Sequence, residues 1–89
     1  MAYYELRLFS KSEKHPEGNC FQVAYYTKKV LGLEQFDGCV ERAKNWHKIF
    51  EAEKIPVDKR PFADFIQLVC RDEEATWLDE VATWKYQQG

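Results

Sequence analysis

The chain has 89 residues, 45% of them hydrophobic and 31% charged, with a net charge of −2. That length holds one domain, 1–89, which can fold on its own apolar interior without a metal or a disulfide framework, and the balance excludes a disordered chain. No apolar run is long enough for a membrane span, and a mildly acidic sum gives no general attraction to nucleic acid.

Tyr4, Leu6 and Leu8 alternate with Tyr3, Glu5, Arg7 and Phe9, and this period of two predicts a strand. It is not the basic-then-apolar layout of a signal peptide. With three cysteines in no framework spacing, the expected compartment is the cytoplasm. His15-Pro16-Glu17-Gly18 suits a type I turn. A second strand is expected from about Cys20 to Lys28, with Phe21, Val23 and Tyr25 on one side and Gln22, Ala24 and Tyr26 on the other. The two strands form an antiparallel hairpin. Gly32 reads as the end of that strand's extension and Asp37 as a helix N-cap. Phe36, Val40, Ala43, His47 and Phe50 then recur at intervals of three and four. They predict an amphipathic helix to about Lys54, stopped by Pro56 and widened by Cys39, Trp46 and Ile49.

After a connector at Ile55–Pro61, the run Phe65-Ile66-Gln67-Leu68-Val69-Cys70 predicts a third strand within 62–71. Asp72, Glu73 and Glu74 suit the first turn of a second helix, where the dipole favours acids. Trp77, Leu78, Val81 and Ala82 give that helix an apolar face. Trp84 and Tyr86 anchor it to the domain before it frays near Gln87-Gln88-Gly89. The expected fold is α+β: a two-layer ββαβα sandwich whose three-stranded mixed or antiparallel sheet has its first strand in the middle and two helices on one face.

Six Phe, five Tyr and three Trp exceed what so small an interior holds. Phe21, Phe36, Trp46, Phe50 and Trp77 are assigned inward. With Leu6, Leu8, Val23, Ile66 and Leu68 facing the helices, the other sheet face collects Tyr3, Arg7, Phe9, Tyr26, Phe65, Val69 and Arg71. Aromatics and arginine are the types enriched in interface cores. The expected function is a non-enzymatic protein-interaction module: a regulator, inhibitor or accessory subunit. It would dock a partner protein, or its own copy as a homodimer, through this face. The alternative is a platform for single-stranded nucleic acid on the same rings, though no aromatic-glycine signature of an RNA-binding sheet accompanies it. A small enzyme with a Cys/His site is the third reading.

No catalytic, cofactor or metal residue is assigned. Cys20, Cys39 and Cys70 have neither zinc nor disulfide spacing. Cys39 and His47 stand two helical turns apart, about 12 Å along the axis, which is too far for a dyad. His47 is placed to pair with Glu51. Asp72, Glu73, Glu74, Asp79 and Glu80 are dense, but no glycine loop gathers them around calcium. The glycines stand singly, so nothing cradles a phosphate, and no small-molecule substrate is indicated.

Overall fold

The computed structural model describes residues 2–12, 14–56, 59–60 and 62–87. Its elements are β1 (Tyr3–Ser10), β2 (Asn19–Tyr26), α1 (Lys29–Ala52), β3 (Phe65–Arg71) and β4 (Trp77–Lys85). Val57, Asp58 and Pro61 of the expected connector, and Gln88 and Gly89 at the expected frayed end, lie outside the described residues. The strands make one antiparallel sheet in the order β2-β1-β3-β4. The order of elements is ββαββ, with α1 on one face. This corrects the expected three-stranded sheet with two helices.

The acids at Asp72–Glu74 start a hairpin, not a helix. The Asp72 carbonyl accepts from Ala75 N–H at 2.9 Å, and Asp72 N–H donates to the Thr76 carbonyl at 3.0 Å. Asp72 Oδ1 also accepts the N–H groups of Glu74 and Thr76, at 3.0 and 2.8 Å. Ala75 has φ +65°. This is a tight turn closed by a left-handed residue, the form usual for three-residue hairpin loops. Aspartate serves equally as a helix cap and as the first residue of such a turn, because its short carboxylate reaches the same two or three N–H groups in both.

β4 resembles a helix in sequence because its pairing is interrupted twice. Leu68 faces Ala82 but Val69 faces Glu80; Cys70 faces Asp79 but Arg71 faces Trp77. Val81 and Leu78 are the extra residues. Each bulge adds one position to a period of two, so Trp77, Leu78, Val81 and Ala82 imitate a helical stripe.

α1 starts at Lys29, eight residues before the expected cap at Asp37, and no side chain caps it at Lys28. Gly32 is a buried member of its inward stripe, not a breaker. A Cβ there would lie 3.2 Å from Leu68 Cδ1 and 3.5 Å from Tyr4 Cβ. The glycine lets the helix sit close on the sheet, at the cost of about 1 kcal/mol of helix propensity. At the other end Lys54 N–H donates to the Glu51 carbonyl and Ile55 N–H to the Phe50 carbonyl. Lys54 has φ +55°. This is a Schellman closure with lysine where glycine is usual, and Pro56 follows it. No helix among the described residues is long and apolar enough to cross a membrane.

The core is Leu6 and Leu8 from β1, Ile66 and Leu68 from β3, Phe36, Cys39, Val40 and Ala43 from α1, and Ala63 before β3, with Phe50 buried two turns further along α1. Of the five aromatics assigned inward, Phe36 and Phe50 are buried. Phe21, Trp46 and Trp77 are each more than two-fifths exposed. One helix, about 10 Å across, cannot cover four strands spaced about 4.8 Å apart. The surplus rings therefore stay at the margins.

Lys54 and Ala75 occupy left-handed backbone that costs a residue with a Cβ about 1 kcal/mol. Lys54→Gly and Ala75→Gly are each expected to raise stability by about 0.5 kcal/mol, once glycine's extra freedom in the unfolded chain is subtracted. Urea unfolding midpoints check this, and a fall in both midpoints would contradict it.

Candidate functional site

The sheet face turned away from α1 is laid out by register in rows. Phe9, Phe65 and Lys85 are opposite one another across β1, β3 and β4; so are Arg7, Gln67 and Thr83; so are Glu5, Val69 and Glu80. Tyr3, Arg71 and Trp77 complete the far end. β2 adds Val23 opposite Arg7 and Tyr25 opposite Glu5.

Six of the seven expected residues lie on this face: Tyr3, Arg7, Phe9, Phe65, Val69 and Arg71. Tyr26 does not. It pairs with Tyr4, and Ala24 with Leu6, so both pack toward the core on the helix side. The expected parity of β2 is therefore reversed, and Val23 and Tyr25 point outward. The strand shifts register at Phe21, because Leu8 faces Gln22 but Phe9 faces Cys20. Apolar content points the wrong way here because β2 is an outer strand, and the room beneath the helix margin is filled by Ala24 and Tyr26. Val69 is on the expected face but is 0% exposed, so it offers no contact surface.

Glu5 organises the centre of the face, and only its own buried position identifies that role. Its carboxylate accepts from Arg71 Nε at 2.7 Å, and Arg7 Nε lies 3.5 Å from its other oxygen. The second contact is an ion pair without hydrogen-bond geometry, as Arg7 Nε has no hydrogen-bond partner. Arg71 is thus the principal partner. Arg71 also donates to the Ala75 carbonyl at 2.9 Å, tying β1 to the β3–β4 turn. The cations then cover rings. Arg7 stands 5.1 Å from the Phe9 centroid, Arg71 5.4 Å from Trp77 and Lys85 5.3 Å from Phe65. Phe9 and Phe65 meet edge to face at 4.8 Å, and the tilted rings of Tyr3 and Tyr25 lie 5.9 Å apart. The most exposed rings of this face are Tyr25, at 65%, and Trp77.

No family model, curated protein or solved structure matches this chain.

A second cluster joins α1 to the end of β4. His47 is 1% exposed. Its Nε2 lies 2.9 Å from the Ala63 carbonyl oxygen and 3.5 Å from Asp64 Oδ1. A carbonyl only accepts, so Nε2 carries the proton. The pairing with Glu51 expected from helical spacing does not form. Asp64 is buried too. It accepts the Lys11 backbone N–H at 2.8 Å through Oδ2, and its own backbone bonds to Phe9 and Tyr86. The Tyr86 ring stacks on the imidazole at 3.9 Å, inclined by 10°. Its hydroxyl donates to Glu51 at 2.8 Å, and Arg60 donates to the same carboxylate oxygen at 3.2 Å. Burial, then the Glu51 carboxylate, holds the Tyr86 phenol above its ordinary pKa, so it remains a donor at neutral pH. Trp84 packs against the core. The Trp84/Tyr86 pair thus anchors the end of the chain to the domain, from a strand instead of a helix.

The three cysteines are free thiols. Cys39 accepts from Arg42, Cys20 lies 3.7 Å from the Gln22 carbonyl, and Cys70 stands opposite Tyr4 across the β1–β3 pair. None of these contacts is with a histidine. Among the described residues no three His, Cys, Asp or Glu side chains gather where a metal could sit.

Proposed function

We propose that the chain is a non-enzymatic protein-interaction module whose docking surface is the sheet face turned away from α1. The observation that carries this reading is the Arg71–Glu5–Arg7 array at the centre of the face. It fixes long cationic side chains over Phe9 and Trp77 before any partner arrives. Side chains already ordered in the free protein lose less entropy on association. Tyr25 and Trp77 stand out beside that array as rigid aromatic anchors, the types that dominate binding energy.

The same array argues against single-stranded nucleic acid. Phosphates need free cations and bases need bare ring faces. Here Glu5 answers the two arginines, and Phe9, Phe65 and Trp77 each have a cation over the ring.

The test is a photo-crosslinking side chain at position 25 of the full chain, read in its native cell and in purified solution. It is expected to yield one discrete adduct, with a partner protein or with a second copy. Tyr25→Ser with Trp77→Ser is expected to weaken that association at least tenfold, about 1.4 kcal/mol. Both residues are exposed, so an unchanged unfolding midpoint is the control for folding. No adduct beyond that of a crosslinker at Glu41, or an association indifferent to both substitutions, would overturn the reading.

A further inference from the structure

Between the second half of α1 and the end of β4 lies a pocket of ≈ 580 Å³. Small-molecule sites run from roughly 300 to 1,000 Å³. Lys44, His47, Lys48 and Glu51 line it from the helix, and Trp84 and Tyr86 from the strand end.

The chemistry of this wall is selective. Trp84 and Tyr86 present ring surface. Lys44 and Lys48 are exposed, four residues apart, and so stand on neighbouring turns of one helix face. The carboxylate of Glu51 is held by Arg60 and by the Tyr86 hydroxyl, and Lys44 Nζ lies 3.9 Å from Glu41, an exposed pair that water screens. His47 belongs to the pocket wall, and its Nδ1 is buried without a hydrogen-bond partner. In the tautomer with its one proton on Nε2, Nδ1 is an acceptor. A buried polar atom with no partner is unusual in a folded protein, and a ligand's donor removes the cost.

We propose that this pocket binds a small planar ring carrying an anionic group and a hydroxyl. The ring packs on Trp84 and Tyr86, the anion meets Lys44 and Lys48, and the hydroxyl donates to His47 Nδ1. Carboxylate and phosphate share the anionic requirement. The inference is independent of the sheet face, because none of these groups belongs to the array around Glu5.

The experiment is an NMR titration of the full chain with 3-hydroxybenzoate and with 3-hydroxyphenyl phosphate. It follows the His47 ring nitrogens and the Trp84 indole N–H. Saturable shifts at both are expected, with a Kd of about 1 mM or tighter for at least one probe. The tighter of the two assigns the anion. Neutral 3-hydroxybenzyl alcohol is expected to bind at least tenfold more weakly. So is either probe to the Lys44→Glu, Lys48→Glu protein, whose exposed substitutions leave the core untouched. No saturation with either probe, equal binding of the neutral ring, or undiminished binding by the double variant would overturn the proposal.

Discussion

Glu5→Ala is expected to lower the free energy of unfolding by about 2–3 kcal/mol, a large part of the 5–15 kcal/mol that holds a domain together. The substitution removes the acceptor of the 2.7 Å bond from Arg71 and leaves the Arg7 guanidinium only its 3.4 Å bond to Gln67 Oε1, with Nε already buried without a hydrogen-bond partner. The arginine side chains retain 21–26% of their exposure, so water repairs part of the loss. That keeps the effect below the 3–5 kcal/mol of a fully buried pair. Glu5→Gln keeps an acceptor for Arg71 and should cost about half as much. Urea unfolding at constant pH measures both. The functional reading depends on the outcome as well: an alanine variant as stable as the parent would mean that the guanidinium array is not held in place before docking.

Asp64→Ala should be the most damaging single change outside the apolar core, at about 3 kcal/mol. It leaves the Lys11 backbone N–H without its acceptor and takes the carboxylate from beside a buried imidazole. Asp64→Asn keeps a carbonyl for Lys11 and is expected to recover about 1–2 kcal/mol of that loss. The Tyr86–imidazole stack supplies a second readout. Because the Asp64 carbonyl also receives the Tyr86 N–H, a displaced loop frees the tyrosine. Its ring-current shift on His47 should then shrink in the alanine variant and persist in the asparagine one. Equal destabilisation by both would assign the effect to charge alone.

What was legible in the chain was what repeats without interruption. β1 keeps strict alternation through Tyr4, Leu6 and Leu8. The stripe Phe36, Val40, Ala43, His47 and Phe50 keeps helical spacing, and all five are buried. β4 was illegible because Leu78 and Val81 are inserted into its alternation, and because Ala75 holds a turn position that glycine or asparagine would have advertised. The parity of β2 failed because Ala24 and Tyr26, not Val23 and Tyr25, pack toward the core from this outer strand. Gly32 was misleading because a glycine that breaks a helix and one that lets a helix approach a sheet are the same letter. The candidate face was nearly complete at the level of β1 and β3, whose pairing is regular from Tyr3 to Phe9. Its central acid was visible as a residue on that face but not as its organiser. The contact between His47 and Asp64 joins a helix to the chain just before β3, and no local spacing encodes such a pair.

The interruptions in β2 and β4 have a further consequence. They fall on the two strands that end the sheet, while the central strands β1 and β3 pair without a break. A long, flat, unpaired border invites a foreign strand to extend the sheet, the first step in amyloid-like stacking and in domain exchange. Here both borders are bent, one at Phe21 and the other at Leu78 and Val81. The second border also carries Asp79, Glu80 and Lys85, charges that resist an incoming backbone. A chain so rich in exposed rings thus guards against growing sideways, and any association is directed onto its broad surfaces.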